Sequence, residues 1–293
     1  MSPDWMTLWA AVGAVAAAIV ALLAVGAPFS GWIRQRHRTK RAAIKVRRVT
    51  EPNDQDLPAA YDVYQQEIPE NEQDPFTDIQ RWLEEAKAAR RVGKKAELDE
   101  YLFIGKASAR VCAFFYGQYY FSHRLFLLGY HVIDRKSEEA RRSASMVLLK
   151  HMVKVVRHDH PDCQGIAFEL EMDSQRDPRT PTAKERLFAV HAKTAAEVVL
   201  RRFDFEYLQP RLSLWDLAFT EERQHLVYGR LHPPALGRTC DKQEALHVLD
   251  AVYNCWYADY FEDDPEKDKE YRAYVQSLYK RLEAQLPEMV PLI

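Results

Sequence analysis

The sequence predicts an α/β protein of the α+β kind: a mixed, mostly antiparallel central sheet flanked by helices, with one transmembrane helix before it and two helices after it. Three observations predict this. Residues 5–27 form an uncharged apolar run, and residues 101–134 are aromatic and β-branched stretches split by short polar turns. Stretches of helical period lie on both sides of that block. The resulting order, β-α-α-β-β-β-α-β-α-β-β, lacks the strict alternation of a doubly wound parallel sheet.

The first element is WMTLWAAVGAVAAAIVALLAVGA, long enough to cross a hydrocarbon core of about 30 Å as a helix. The only early charge is Asp4, and Arg34, Arg36, Arg38, Lys40 and Arg41 follow the run, the reverse of a cleavable signal peptide. The positive-inside rule then predicts a single-pass protein of the inner (plasma) membrane, with its N-terminus outside and the rest in the cytoplasm. Trp5, Trp9 and Trp32 stand where interfacial anchors stand, so the lipid bilayer is the expected partner of residues 5–27. Gly13, Ala17 and Ala21 share one helical face and allow a homo-oligomer. Residues 1–33 are thus read as a transmembrane anchor, 34–43 as a basic juxtamembrane stem, 44–235 as the main domain and 236–293 as a C-terminal helical extension.

The net charge of −2 hides an asymmetry: residues 34–48 carry eight Lys or Arg and no acid, residues 1–33 carry only Asp4, and so residues 49–293 carry −9. An acidic domain argues against nucleic acid as a partner, because phosphate neutralisation needs clustered cations on the folded surface. Cys112, Cys163, Cys240 and Cys255 are scattered without a CxxC pair, which reads as reduced thiols rather than a zinc site or disulfide framework.

Along the domain, residues 45–50 read as a short strand, and the turn cluster EPNDQD starts a helix at Leu57 with Leu57, Ala60, Tyr61 and Tyr64 on one face. A second helix is expected over 76–91, with Ile79, Trp82 and Ala86 at helical spacing. The period then changes to that of an antiparallel meander over 101–105, 109–120 and 125–134. Residues 141–156 read as a helix, 165–171 as a strand, 183–202 as a helix, and 203–209 with 225–231 as a final strand pair. Residues 241–260 and 265–286 add two helices.

This order, the loop-to-helix passage ARRSASMVLLKHM and the ending FDFEYLQPRL resemble the GNAT superfamily of acetyl-CoA-dependent N-acetyltransferases over about residues 44–231. The resemblance implies a GNAT-like sheet and acetyl-CoA as cosubstrate, with the backbone of a loop at a helix N-terminus taking the pyrophosphate. Ser143 and Ser145 fall at that loop's two glycine positions and Ala140 at its Gln/Arg position; Arg141, Arg142 and Ala144 complete the candidate cradle. It further implies a V-shaped gap between the fourth and fifth strands, where the pantetheine arm pairs with the backbone of His131, Val132 and Ile133.

Amine acetylation needs a proton acceptor for the ammonium and an acid for the leaving thiolate. Glu169 and Glu171 alternate with Phe168 and Leu170, so both carboxylates leave one face of a strand near the gap. They are the candidate bases, with His131 a weaker one. The family's usual acid, a tyrosine, falls at Leu200, and Tyr207 is the nearest replacement. His158 and His160 in RHDHPD read as a polar loop closing a helix as readily as a metal site, and no metal centre is expected. The expected function is a membrane-anchored enzyme moving an acetyl group from acetyl-CoA to a small amine or protein amine; the alternative is a non-catalytic GNAT-like module at the inner membrane that binds a ligand or a partner protein.

Overall fold

The chain enters its sheet at β1 (Ile44–Val49) in a computed structural model that describes residues 44–70, 73–92, 97–134, 136, 138–171, 193, 196–212, 219–257 and 264–293. The apolar run 5–27, its candidate oligomer face and the basic stem 34–43 lie outside the described residues. Among the described residues no helix is long and apolar enough to cross a membrane.

After β1, Pro58 in the first turn fits the start of α1 (Leu57–Glu67), since proline lacks a donor that this turn leaves unused. α2 (Phe76–Val92) follows. The meander is β2 (Leu98–Ala107), β3 (Arg110–Tyr120) and β4 (Leu125–Ile133), each antiparallel to its neighbour, with β1 on the outer edge of β2.

Alternation along these strands divides their side chains between two cores. Tyr101, Phe103, Phe115, Tyr119 and Phe126 face α3 (Glu138–Asp159), with Leu148, Leu149, Met152 and Val156 of that helix packed on them. Leu102, Ile104, Phe114, Tyr116 and Val132 face α1 and α2 through Leu57, Ala60, Tyr64, Ile79 and Leu83. Each fully buried side chain of this size contributes about 1.5–3 kcal/mol relative to exposure. An exposed pair such as Arg81–Asp78 contributes about 0–1 kcal/mol. The two apolar layers therefore dominate.

β5 (Gly165–Glu171) lies parallel to β4, but the pairing covers only Leu125↔Gly165, Phe126↔Ile166 and Leu127↔Ala167. β5 then pairs along its whole length with β8 (Phe219–Arg230), antiparallel. The other edge of β8 takes β6 (Arg201–Arg202) and β7 (Tyr207–Leu212), giving an eight-stranded mixed sheet in which β4–β5 is the single parallel pair among the described strands.

The end of the chain builds a third core on the β4–β5–β8 face. β9 (Thr239–Asp241) leads into α4 (Lys242–Ala251), whose N-terminus is capped by Asp241 accepting from the Glu244 N–H. A π turn (Val252–Trp256) extends it. α5 (Pro265–Gln285) is capped by Asp264 in the same manner, and β10 (Met289–Pro291) returns to pair with β9. Arg202 and Ile293 exchange two backbone hydrogen bonds, of 3.1 and 2.8 Å, so the last residue is stitched to β6. Residues 44–293 accordingly form one compact unit, with the extension built into it.

Several boundaries differ from the sequence expectation. The helix expected over 141–156 begins at Glu138 and runs to Asp159. The helix expected over 183–202 lies mostly outside the described residues; its last two positions are strand β6, because backbone pairing with Tyr228 and Val227 outweighs local propensity. The final strand pair sits at 207–212 and 219–230 rather than 203–209 and 225–231.

Candidate active site

β4 and β5 part at Leu127 and Ala167. Both strands run on, to Ile133 and Glu171, yet no ladder joins them beyond that point among the described residues. Two local features mark β4 at this point. On β4 the register against β3 shifts so that Tyr116 faces Tyr130 while Gly117 faces Leu128, which leaves Gly129 as the extra residue of a bulge, and bulges bend a strand. Trp256 of the π turn closes on that bulge: a Cβ added at Gly129 would meet its ring at 2.6 Å. Glycine is required there for close approach.

Beyond the parting point the β4 side chains are committed to the two cores. The His131 ring stands edge-on to Phe115 with centroids 5.5 Å apart, Val132 is 3% exposed, and Ile133 packs on the α3 side. His131 thus belongs to the opposite face from Glu169. What these residues can offer to the gap is backbone, and an extended arm bearing amides fits such an edge.

The diphosphate cradle fits less well. With α3 starting at Glu138, the N–H groups without an intrahelical acceptor belong to its first turn, whereas those of Ser143, Ala144 and Ser145 are in the second and bond within the helix. Ala144 is fully buried and Ser145 is 7% exposed. The backbone donors of those three residues are therefore not presented to a phosphate. The side chains of Arg141, Arg142 and Ser143 lie outside the described ones.

On the other strand of the gap, Glu169 is brought together with Tyr207, as the sequence suggested, and with two residues it did not suggest. The Tyr207 hydroxyl donates to Glu169 Oε1. Oε2 accepts from Gln209 Nε2 at 2.7 Å and from the Tyr257 hydroxyl at 2.5 Å. Gln224 Nε2 donates to Gln209 Oε1 at 3.0 Å, which fixes the amide so that its nitrogen faces Glu169. Tyr207 stacks on Tyr253 at 5.5 Å, and the Tyr253 hydroxyl donates to the Leu208 carbonyl at 2.6 Å.

This arrangement assigns roles. The Tyr207 hydroxyl is fully buried, and burial together with the Glu169 charge holds its pKa well above the ordinary phenol range. It keeps its proton and holds Glu169 rather than supplying an acid. Glu169 is only half-buried and lies past the parting of the strands. Leu200, at the position of the family's usual acid, is a core residue 8% exposed, packed near Gly229. The Glu171 side chain lies outside the described ones.

Gln209 and Tyr257 were legible only in part. Tyr207 and Gln209 share a strand face by their spacing of two. Tyr257 sits in a stripe, Tyr253-Trp256-Tyr257, whose helical period disguises one member that turns to a carboxylate.

The RHDHPD loop is absorbed by the fold. Asp159 takes Arg48 and the Tyr101 hydroxyl, Asp162 takes the Tyr119 hydroxyl, and His160 stacks on Tyr119 at 3.8 Å. Among the described residues no group of three or more His, Cys, Asp or Glu side chains is arranged to hold a metal ion.

No family model matches the sequence, and no curated protein matches it. Solved structures similar to this chain include an acetyltransferase assigned to the GNAT family from Desulfovibrio desulfuricans, with 12% identity and a TM-score of 0.42 over 65% of this chain and 100% of that one. An N-acetyltransferase from Staphylococcus aureus aligns with 10% identity and a TM-score of 0.41 over 64% of this chain and 98% of its own. The ribosomal-protein-S18-alanine N-acetyltransferase from Escherichia coli aligns with 11% identity and a TM-score of 0.37 over 64% and 94%. The likeness is one of chain course, and the strand geometry above is what bears on function.

Proposed function

We propose that this protein is an acyl-CoA-dependent N-acetyltransferase, held at the cytoplasmic face of the inner membrane by residues 5–27, that acetylates an amine in the gap between β4 and β5. The observation that carries the reading is the parting of those strands at Leu127 and Ala167 with a held carboxylate, Glu169, on the open side. The membrane placement rests on the uncharged apolar run and the cations that follow it.

In this reading the backbone of His131, Val132 and Ile133 pairs with the pantetheine arm, and acetyl-CoA supplies an acetyl group activated as a thioester. With the backbone donors of Ser143 to Ser145 bonded within the helix, Arg141 and Arg142 are the residues left to balance a phosphorylated end, and the arm provides most of the grip. Glu169 accepts the proton of the incoming ammonium. Tyr207, Tyr257 and Gln209 keep its carboxylate in one orientation, so that no side-chain ordering is needed when the amine arrives. The leaving thiolate takes its proton from solvent, since Leu200 cannot give one. Nine net negative charges on residues 49–293 favour a cationic acceptor, whether a small amine or a protein amine.

The test is turnover of acetyl-CoA by the fragment from residue 42 against a library of primary amines and polyamines, read as thiol release. Amine-dependent release supports the proposal. Release that is undetectable for every amine, from a fragment that still binds acetyl-CoA, identifies a non-catalytic binding module instead.

A further inference from the structure

A second cluster of reactive side chains lies away from the gap, where the β3–β4 turn meets the C-terminal extension. His123, in that turn, directs Nε2 at Asp250 Oδ2, 2.7 Å away, and Nδ1 at Cys255 Sγ, 3.4 Å away, with Ser122 Oγ also 2.8 Å from Nδ1. Asp250 is held in turn, since Asn254 Nδ2 donates to its Oδ1 at 2.5 Å. His247 Nε2 lies 2.8 Å from the His123 carbonyl oxygen and its ring 5.1 Å from the His123 ring, which pins the turn from below. A thiol, an imidazole and a carboxylate are thus joined in line through the two nitrogens of one ring.

The local fold explains how two of these groups reach the same imidazole. Asp250 closes α4 and Cys255 lies on the π turn after it. In an unbroken α-helix positions five apart point about 140° away from each other. The π turn adds a residue to the turn and brings Cys255 round to the side of Asp250.

Burial separates Cys255 from the other thiols. Cys112, Cys163 and Cys240 are buried, and burial pushes the thiols of Cys163 and Cys240 up to about 12. Cys255 is partly exposed, His123 has 12% of its side chain exposed and Asp250 40%. The His123 pKa is raised to about 9, first by the hydrogen bond to Asp250 and then by that to Cys255, so that near neutral pH the ring holds a second proton facing the sulfur. A charge-assisted donor beside sulfur is the environment that makes a thiol nucleophilic.

We propose that Cys255, His123 and Asp250 form a nucleophilic thiol site that exchanges with small disulfides of the glutathione type. The Cys255 thiol gives its proton to solvent beside the His123 Nδ1–H, its sulfur attacks one sulfur of the disulfide, and the S–S bond breaks as a new one forms to Cys255. The departing thiolate takes a proton from solvent, so the step consumes one disulfide and yields one thiol and one mixed disulfide. Exchange at sulfur needs only these groups and a line of access, whereas acyl transfer also needs donors aimed at an oxyanion.

The test uses the full-length protein in detergent, reacted with glutathione disulfide for the product and with 5,5′-dithiobis(2-nitrobenzoic acid) for the rate. The expected product is one mixed disulfide, located at Cys255 by mass spectrometry. The expected rate exceeds that of free cysteine by about 10-fold and falls back by about 10-fold in His123→Gln. Asp250→Asn, at a more exposed position, lowers the rate in the same direction and keeps the test open if His123→Gln fails to fold. A rate no faster than free cysteine, a rate unchanged in both variants, modification at another cysteine, or acylation of Cys255 by acetyl-CoA in preference to disulfide exchange would each overturn the proposal.

Discussion

Glu169→Gln lowers amine-dependent turnover by about 10²- to 10⁴-fold while leaving acetyl-CoA binding unchanged. The substitution keeps the shape of the side chain, and one amide oxygen still accepts from Tyr207 or from Tyr257. What it removes is the carboxylate that, on the proposed function, takes the ammonium proton. It also turns one amide nitrogen toward existing donors, and hydrogen bonds to a charged group are worth about 1.5–3 kcal/mol, so a measurable loss of stability accompanies the kinetic effect. The split between kcat and binding separates the roles: a residue that only supported the fold would weaken both together. Turnover equal to that of the unmodified protein would remove Glu169 from the reaction.

Glu100→Gln is expected to stabilise the protein by about 2–3 kcal/mol at pH 8 and to change little at pH 5. Glu100 lies on β2, 8% exposed, with Oε1 accepting from the Tyr116 hydroxyl at 3.2 Å and Gln118 Nε2 at 3.3 Å. Burial raises its pKa from the ordinary value of 4.5 to about 7, and the two hydrogen bonds only partly oppose this. As pH rises through 4.5 the unfolded chain loses this proton while the folded chain keeps it until about 7. Over that window the unfolded state binds fewer protons, so stability falls with rising pH, and above 7 the full cost is present. The glutamine variant escapes it. Chemical denaturation of both proteins at pH 5 and pH 8, read as the difference between them, checks the sign; equal midpoints at pH 8 would show that Glu100 carries no burial penalty.

Much of the sheet was legible because its signals are local. β5 is found at Gly165–Glu171 as the alternation predicts, and α1 starts at Leu57 after a turn cluster with Pro58 behind it. The meander announces itself by aromatic and β-branched runs with polar turns between them. Elements that depend on distant partners were not legible. β6 is two residues long and exists because β8 and the chain end meet it. β8 begins with the polar stretch FTEERQ, whose place is fixed by pairing with β7 rather than by its own pattern.

The site divides in the same way. Glu169 and Tyr207 could be nominated from strand parity and from the Tyr-x-Gln-Pro segment. The part of Tyr257 could not, because nothing in residues 253–257 distinguishes a tyrosine that reaches across 88 positions to a carboxylate from its packing neighbours. The same holds for His123 with Asp250 and Cys255, which are joined by a turn at one end of the domain and a π turn near the other. The loop expected at Ser143 and Ser145 failed for a physical reason: three more residues fold into the first turn of α3, and that moves the donors upstream.

The measurement that tests the central claim most directly is titration calorimetry of the fragment from residue 42 with acetyl-CoA, with acetyl-pantetheine as the second ligand. A thioester held by its arm in the gap between β4 and β5 predicts saturable one-to-one binding of acetyl-CoA and competition by acetyl-pantetheine within about 10-fold, or about 1.4 kcal/mol, of its affinity. Absence of heat at millimolar acetyl-CoA would contradict the account.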